Sequence, residues 1–280
     1  MKLDNVTICA IDCLHPSLAI DSLKRSIQNI EFAECILFTD KNIVDGKIKC
    51  IKIDSITHMD HYDTFVFKEL HKYINTSHVL IVQWDGWIID SDIWKDEFLE
   101  YDYIGAPWSF YDDGYVVGNG GFSLRTKKLL QALTNEEFVV VSNQAEDDAI
   151  CRSYRDKLES KYDIKFAPVE LAERFSYESY IPQQSTFGFH GIYNLWRHAS
   201  DKEIVSMFET IVSVSKTKIA QQSYFSLLLS YLNLRKFALV KKLYNILKRE
   251  YDVNFIGDGI FQVTKDKDFT IGFIQLNEKI

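Results

Sequence analysis

Two hydrophobic rhythms alternate along the first ninety positions. Residues 6–11 form a short β-branched run and predict a strand, whereas residues 17–29 place Leu18, Leu23, Ile27 and then Ile30 at near-helical spacing. Residues 35–40 read as a second buried strand that ends in the polar pair Thr39-Asp40. Residues 48–53 alternate apolar side chains with lysines, as an edge or half-buried strand does. Residues 65–74 return to helical spacing, and residues 78–86 form an apolar strand running into the Asp85-Gly86 turn. Strands separated by helices predict βαβ units and a mostly parallel sheet with helices on both faces.

The pattern changes beyond Ala199. Residues 220–232 and 236–251 carry Leu and Tyr three and four apart, and predict a helical hairpin broken at Asn233. Residues 261–276 alternate around Thr270-Ile271-Gly272-Phe273-Ile274 and predict a strand. The expected organisation is a catalytic-type α/β domain over 1–199 and a mainly helical C-terminal region over 200–280.

With 280 residues, the chain is long enough to bury a large core. Its 32 Lys and Arg against 40 Asp and Glu give a net charge of −8, which argues against a broad nucleic-acid surface. No apolar run is long enough to serve as a signal-peptide core or a membrane span, so the expected location is cytoplasmic. The five cysteines are an odd number without a C-x-x-C pair, and read as small buried hydrophobes.

In parallel sheets, ligands gather at the carboxyl ends of the strands. Those ends here are Asp12, Thr39 with Asp40, and Asp85. Neither a dinucleotide-binding G-x-G-x-x-G after the first strand nor a P-loop is present. Asp85 fits a divalent cation beside a phosphate, but on the Asp-Gly dipeptide alone a turn aspartate bonded to its own backbone is the preferred reading. Glu146-Asp147-Asp148 opens a helix, where three carboxylates suit the dipole and one of them is a candidate general base. The stretch Gly118-Asn119-Gly120-Gly121 has three residues without Cβ and reads as a close-approach loop or a plain turn. His190, between aromatic residues and Gly191, fits a metal ligand or a satisfied core histidine. The cluster His58-Met59-Asp60-His61-Tyr62-Asp63 looks like a metal site but lacks the helix framing of H-E-x-x-H and a remote partner, so capping by Asp60 or Asp63 is the preferred reading.

The order of these blocks resembles a family of glycosyltransferase-like proteins. The resemblance rests on Leu80-Ile81-Val82-Gln83-Trp84-Asp85-Gly86, then Tyr101-Asp102-Tyr103-Ile104-Gly105-Ala106-Pro107-Trp108, then Gly118-Asn119-Gly120-Gly121-Phe122-Ser123-Leu124-Arg125. Glu146-Asp147-Asp148 and Phe187-Gly188-Phe189-His190-Gly191 continue it, so that it spans roughly residues 6–196. It implies a GT-A-type, Rossmann-like nucleotide-diphospho-sugar transferase fold with a small helical C-terminal appendage.

The resemblance further implies Mn²⁺ or Mg²⁺ held by Asp85 and His190, although Gln83 stands where the D-x-D motif has its first acid. It implies Asp147 as the base that deprotonates an acceptor hydroxyl and Glu146 as the residue orienting the acceptor. Asp12, Thr39, Asp40, Asp85, Gly120 and Gly121 would line the donor, and Trp108, Asn119 and Asp148 the sugar or acceptor. The expected activity is transfer of a hexose, with inversion, from a UDP-linked donor to a glycan hydroxyl in polysaccharide synthesis. The alternatives are a catalytically inactive carbohydrate-binding scaffold and a sugar-nucleotide nucleotidyltransferase. Expected partners are the nucleotide sugar and a glycan acceptor, with no nucleic acid. A homodimer or partner contact through the C-terminal helices and a place at the inner membrane face complete the expectations.

Overall fold

A computed structural model describes residues 1–214 and 218–279. The chain begins with β1 (Lys2–Ile11), α1 (Pro16–Ser26), β2 (Glu31–Thr39), β3 (Lys49–Lys52), α2 (Met59–Thr64), β4 (His78–Val82) and β5 (Trp87–Ile88). It continues through β6 (Tyr103–Gly105), β7 (Phe122–Thr126), α3 (Lys127–Ala132), α4 (Glu146–Asp148), α5 (Arg155–Tyr162), α6 (Val169–Phe175), β8 (Ser176–Tyr177) and β9 (Gly188–Phe189). Six strands form one sheet in the order β3-β2-β1-β4-β7-β6, and a small second sheet has the order β5-β9-β8. β3, β2, β1 and β4 run parallel, while β7 is antiparallel to both β4 and β6. The α/β class and the mostly parallel sheet expected from the sequence are what the structure shows.

The alternation of side chains along each strand decides which helices cover which face. Val6, Ile8 and Ala10 of β1, with Leu80 and Val82 of β4, pack with Ala19 and Leu23 of α1 and Leu171, Ala172 and Phe175 of α6. The opposite registers, Cys9, Ile11, Val79 and Ile81, pack with Phe65, Val66 and Leu70 after α2 and with Leu130 of α3. Both faces are therefore buried, which is why β4 reads as a continuous apolar run. Asp12 closes the β1–α1 turn: its Oδ1 accepts from the amides of Leu14 at 2.8 Å and His15 at 2.6 Å. Pro16 then opens α1, where a missing N–H costs nothing. All five cysteines are free, with Cys9, Cys13 and Cys151 buried.

The chain divides into two units, Met1–His190 and Gly191–Ile280, earlier than the boundary expected near residue 199. The second unit contains α7 (Asp201–Val214), α8 (Lys218–Asn233), α9 (Phe237–Glu250), α10 (Val253–Thr264) and α11 (Lys267–Lys279). α8 and α9 form the expected hairpin, and Arg235 turns between them with a φ of 59°. The strand expected over 261–276 is not there; α10 and α11 occupy that segment. Burial in α11 falls on Thr270, Phe273 and Asn277, a helical stripe. Asp252 and Asp266 accept from the amides of Phe255 and Phe269, both at 2.9 Å, capping the two helices. Local alternation of β-branched and aromatic residues imitated a strand, but capping and tertiary burial select the helix. No helix among the described residues is long and apolar enough to cross a membrane.

Candidate functional site

Three short strands deliver three polar side chains to one end of the small sheet. β5 pairs antiparallel with β9 through Trp87↔Phe189 and Ile88↔Gly188, so the turn before β5 meets the end of β9. β8 runs parallel to β9, with Tyr177 beside Phe189, so its end lies there as well. Asp85 before β5, His190 after β9 and Glu178 after β8 are thereby brought together. β7 adds a fourth component, because Val82 pairs with Phe122 and the Gln83 amide donates to the Gly121 carbonyl at 2.8 Å. This seats the Asn119–Gly120–Gly121 loop against Gln83 and His190.

The imidazole of His190 is the hub. Its Nδ1 lies 2.9 Å from Glu178 Oε1, and its Nε2 lies 3.1 Å from Gln83 Oε1 and 3.2 Å from Asp85 Oδ1. Burial alone would lower its pKa; the carboxylates of Asp85 and Glu178 outweigh burial and hold it well above the ordinary histidine range. In the favoured imidazolium form, Nδ1–H faces Glu178 and Nε2–H faces Gln83 Oε1 and Asp85 Oδ1. Exchange of the Nε2 proton for a cation would leave Nε2 and these two oxygens as three Lewis-basic atoms turned toward one another. Such atoms need a proton or a cation between them. Two oxygens and one imidazole nitrogen, completed by phosphate oxygens and water, are a donor set that Mg²⁺ or Mn²⁺ accepts. Among the described residues, no three His, Cys, Asp or Glu side chains form a metal-holding group, so the amide of Gln83 is an essential part of this fit.

The acidic helix start lies across the same loop. Asp147 Oδ2 accepts from the Gly120 amide at 2.7 Å and its Oδ1 from the Asp148 amide at 2.8 Å. Burial first, and then the neighbouring Glu146 carboxylate, raise the Asp147 pKa to about 6. Glu146 is buried and held by both guanidinium nitrogens of Arg125, at 2.8 and 2.7 Å. Arg125 is also fully buried, and its Nε donates to Ser123 Oγ at 3.0 Å. This bidentate pair fastens β7 to α4 and engages both Glu146 oxygens. Glu146 is thus a structural anchor, and its expected contact with an acceptor does not fit this geometry.

Several other expected residues have different positions. Trp108 is buried, and a Cβ on Gly118 would come within 2.1 Å of its ring. The indole packs against Gly118 of the glycine loop. A Cβ on Gly120 would meet Glu146 Oε1 at 2.3 Å, and one on Gly121 would meet His190 Nε2 at 2.1 Å. Both glycines make room for protein side chains, and the Gly120 amide serves Asp147. Asn119, at a φ of 59°, accepts from the Phe122 amide at 3.3 Å and places Nδ2 3.1 Å from His190 Nδ1. Asp148 faces Tyr111, Gln144 and Arg152.

Burial raises the Asp12 pKa to about 6, with a small addition from the Asp85 charge, but its carboxylate holds the α1 turn. Thr39 is buried, and Asp40 pairs with Lys41 at 3.0 Å; neither is among the contacts that build the cluster. Reading by sequence missed Glu178, which lies in no motif, and treated Gln83 only as a departure from one.

No curated protein matches the chain. Solved structures that resemble it at low identity include two glycosyltransferases. The apo-form glycosyltransferase GlyE of Streptococcus pneumoniae has a TM-score of 0.39 and 11% identity over 66% of this chain and 54% of that one. An active-site mutant of LgtC has a TM-score of 0.42 and 14% identity over 78% of this chain and 97% of that one. Residues 46–190, which include Gln83, Asp85, Asn119, Asp147, Glu178 and His190, match the family described as "Protein of unknown function (DUF5672)". That match spans more than half of the chain, and the protein is a member of this family.

Proposed function

We propose that the protein transfers a sugar from a nucleotide-diphospho-sugar to a glycan hydroxyl. One observation carries this reading. A cation-competent set (Gln83, Asp85, His190) and a carboxylate poised as a base (Asp147) flank the same loop, Asn119–Gly121, beside the end of β4. Open α/β sheets bind ligands at the carboxyl ends of their parallel strands. Gln83, Asp85 and His190 would hold the metal ion, which when bound neutralises the leaving diphosphate. Asp147 takes the proton from the acceptor hydroxyl as that oxygen bonds to the anomeric carbon and the bond to the diphosphate breaks. Attack from the face opposite the leaving group inverts the anomeric centre. The Gly120 and Asp148 amides hold the Asp147 carboxylate in place, and Glu178 fixes the imidazole so that Nε2 faces Asp85. UDP-glucose and UDP-galactose are the first donors to test.

The test is isothermal titration of nucleotides and nucleotide sugars with and without Mn²⁺, followed by an assay for nucleoside diphosphate release. Mn²⁺-dependent binding that disappears in Asp85→Ala supports the reading. An absence of nucleotide binding under both conditions overturns it.

A further inference from the structure

Two polar side chains beside the site have no partner. Both carboxyl oxygens of Asp63 and the hydroxyl of Tyr62 are buried without a hydrogen bond. Asp63 is 2% exposed, and the Glu146 amide approaches it without forming a well-shaped hydrogen bond. The Tyr62 hydroxyl lies in the field of Glu146, Arg125 and Gln83, again without a formed bond to Gln83. A buried polar group left unpaired costs about 1–3 kcal/mol, and native chains rarely keep two such neighbours unless something supplies their partners. Burial, followed by the Glu146 charge, raises the Asp63 pKa to about 8, so at neutral pH most of this carboxyl can both donate and accept a hydrogen bond.

The backbone points to the same place. Tyr62 and Asp63 close α2, and a π-helical turn, Phe65–Glu69, follows immediately. Glu146 and Asp147 open α4, and a second π-helical turn, Ala149–Ser153, follows it. Phe67 of the first turn packs in one cluster with Ala149, Ile150 and Cys151 of the second. Such π-turns are frequent at functional sites, where they re-aim side chains. The pair Tyr62-Asp63 thus neighbours Gln83, which the Tyr62 hydroxyl approaches, and the start of α4, whose Glu146 amide approaches Asp63.

From this placement we infer that the Tyr62 hydroxyl and the Asp63 carboxyl form a subsite that hydrogen-bonds the hydroxyls of the transferred sugar. The inference rests on the transferase reading. In that reading the sugar is attached to the diphosphate held near Gln83 and Asp85, and is attacked from the Asp147 side. A pair that neighbours both Gln83 and the start of α4 is placed to reach that sugar's hydroxyls. Sugar hydroxyls both donate and accept, which matches a neutral carboxyl and a phenol left unpaired in the free protein. In the sequence these two residues belong to the metal-like cluster that also holds His58 and His61.

The experiment titrates the full chain, wild type, Asp63→Asn and Tyr62→Phe, with UDP, UDP-glucose, UDP-galactose, GDP and GDP-mannose in the presence of Mn²⁺. The readout is the ratio of the nucleotide-sugar Kd to the matching nucleoside diphosphate Kd, together with the Tm of the free protein. The expected result is an unchanged nucleoside diphosphate Kd, a ratio raised about tenfold in each variant, and a Tm for Tyr62→Phe no lower than wild type. A ratio unchanged in both folded variants overturns the subsite and leaves the transferase reading intact. Wild-type protein that binds none of the nucleotides overturns the transferase reading, and the subsite with it. If Asp63→Asn does not fold, Tyr62→Phe, which removes a single oxygen, decides by the same ratio.

Discussion

Asp147 is fixed by two backbone amides, and its carboxyl titrates at about 6 because burial and Glu146 oppose its charge. In the proposed transfer Asp147 is the base and acts only when ionised, so kcat/KM should fall about tenfold per pH unit below pH 6 and level off above it. Asp147→Asn should lower kcat by about 10²–10⁴-fold while the donor Kd stays unchanged, read by steady-state kinetics beside calorimetry. Gly121 is as exacting as any charged residue here, since a Cβ would stand 2.1 Å from His190 Nε2. Gly121→Ala should displace the imidazole and weaken Mn²⁺ binding about 10–100-fold, measured by titration of the metal alone. Asp85, Asp147 and His190 were legible as candidates because each stands out from its neighbours as an acid or imidazole in a glycine or acidic motif. Glu178 and Asp63 were not, because each acquires its meaning from a residue far away in the chain.

At the level of elements, the Arg125–Glu146 pair joins β7 to α4 through two charge-assisted hydrogen bonds in a fully buried setting. Arg125→Met alone leaves Glu146 buried without its counter-charge and should destabilise the protein by about 3–5 kcal/mol in urea unfolding. Combining it with Glu146→Met should recover most of that loss, because two apolar chains remove the uncompensated charge. The small sheet β5-β9-β8 shows where sequence patterns stop helping. Its strands have two residues each, too short for any alternation to register, yet they align Asp85, His190 and Glu178. α10 and α11 show the opposite error, in which a clear alternating pattern proved to be one stripe of a capped helix.

Across the whole molecule, the raised carboxyl pKa values couple folding to pH. Asp147 at about 6 and Asp63 at about 8 bind protons in the folded state that the unfolded chain, near its ordinary value of about 3.9, has already released. The stabilisation they contribute is complete below about pH 4 and is lost as pH rises through the two folded values. Asp63→Asn should therefore flatten the dependence of Tm on pH between about 5 and 8, as read by calorimetric melting in matched buffers.

By itself, the sequence determined the alternation of strands and helices that makes a mostly parallel α/β sheet. Burial on two faces writes long apolar runs into β1 and β4, and such runs are local. It also determined the acidic and glycine motifs, because tight turns and helix starts constrain neighbouring residues. Only the tertiary structure decided which of those motifs meet, for strand pairing brings positions a hundred residues apart within hydrogen-bonding distance, as Gln83 and His190 are. It decided that Glu146 is a buried anchor while Asp147, held only by backbone amides, stays outside that ion pair, because the guanidinium of Arg125 faces Glu146.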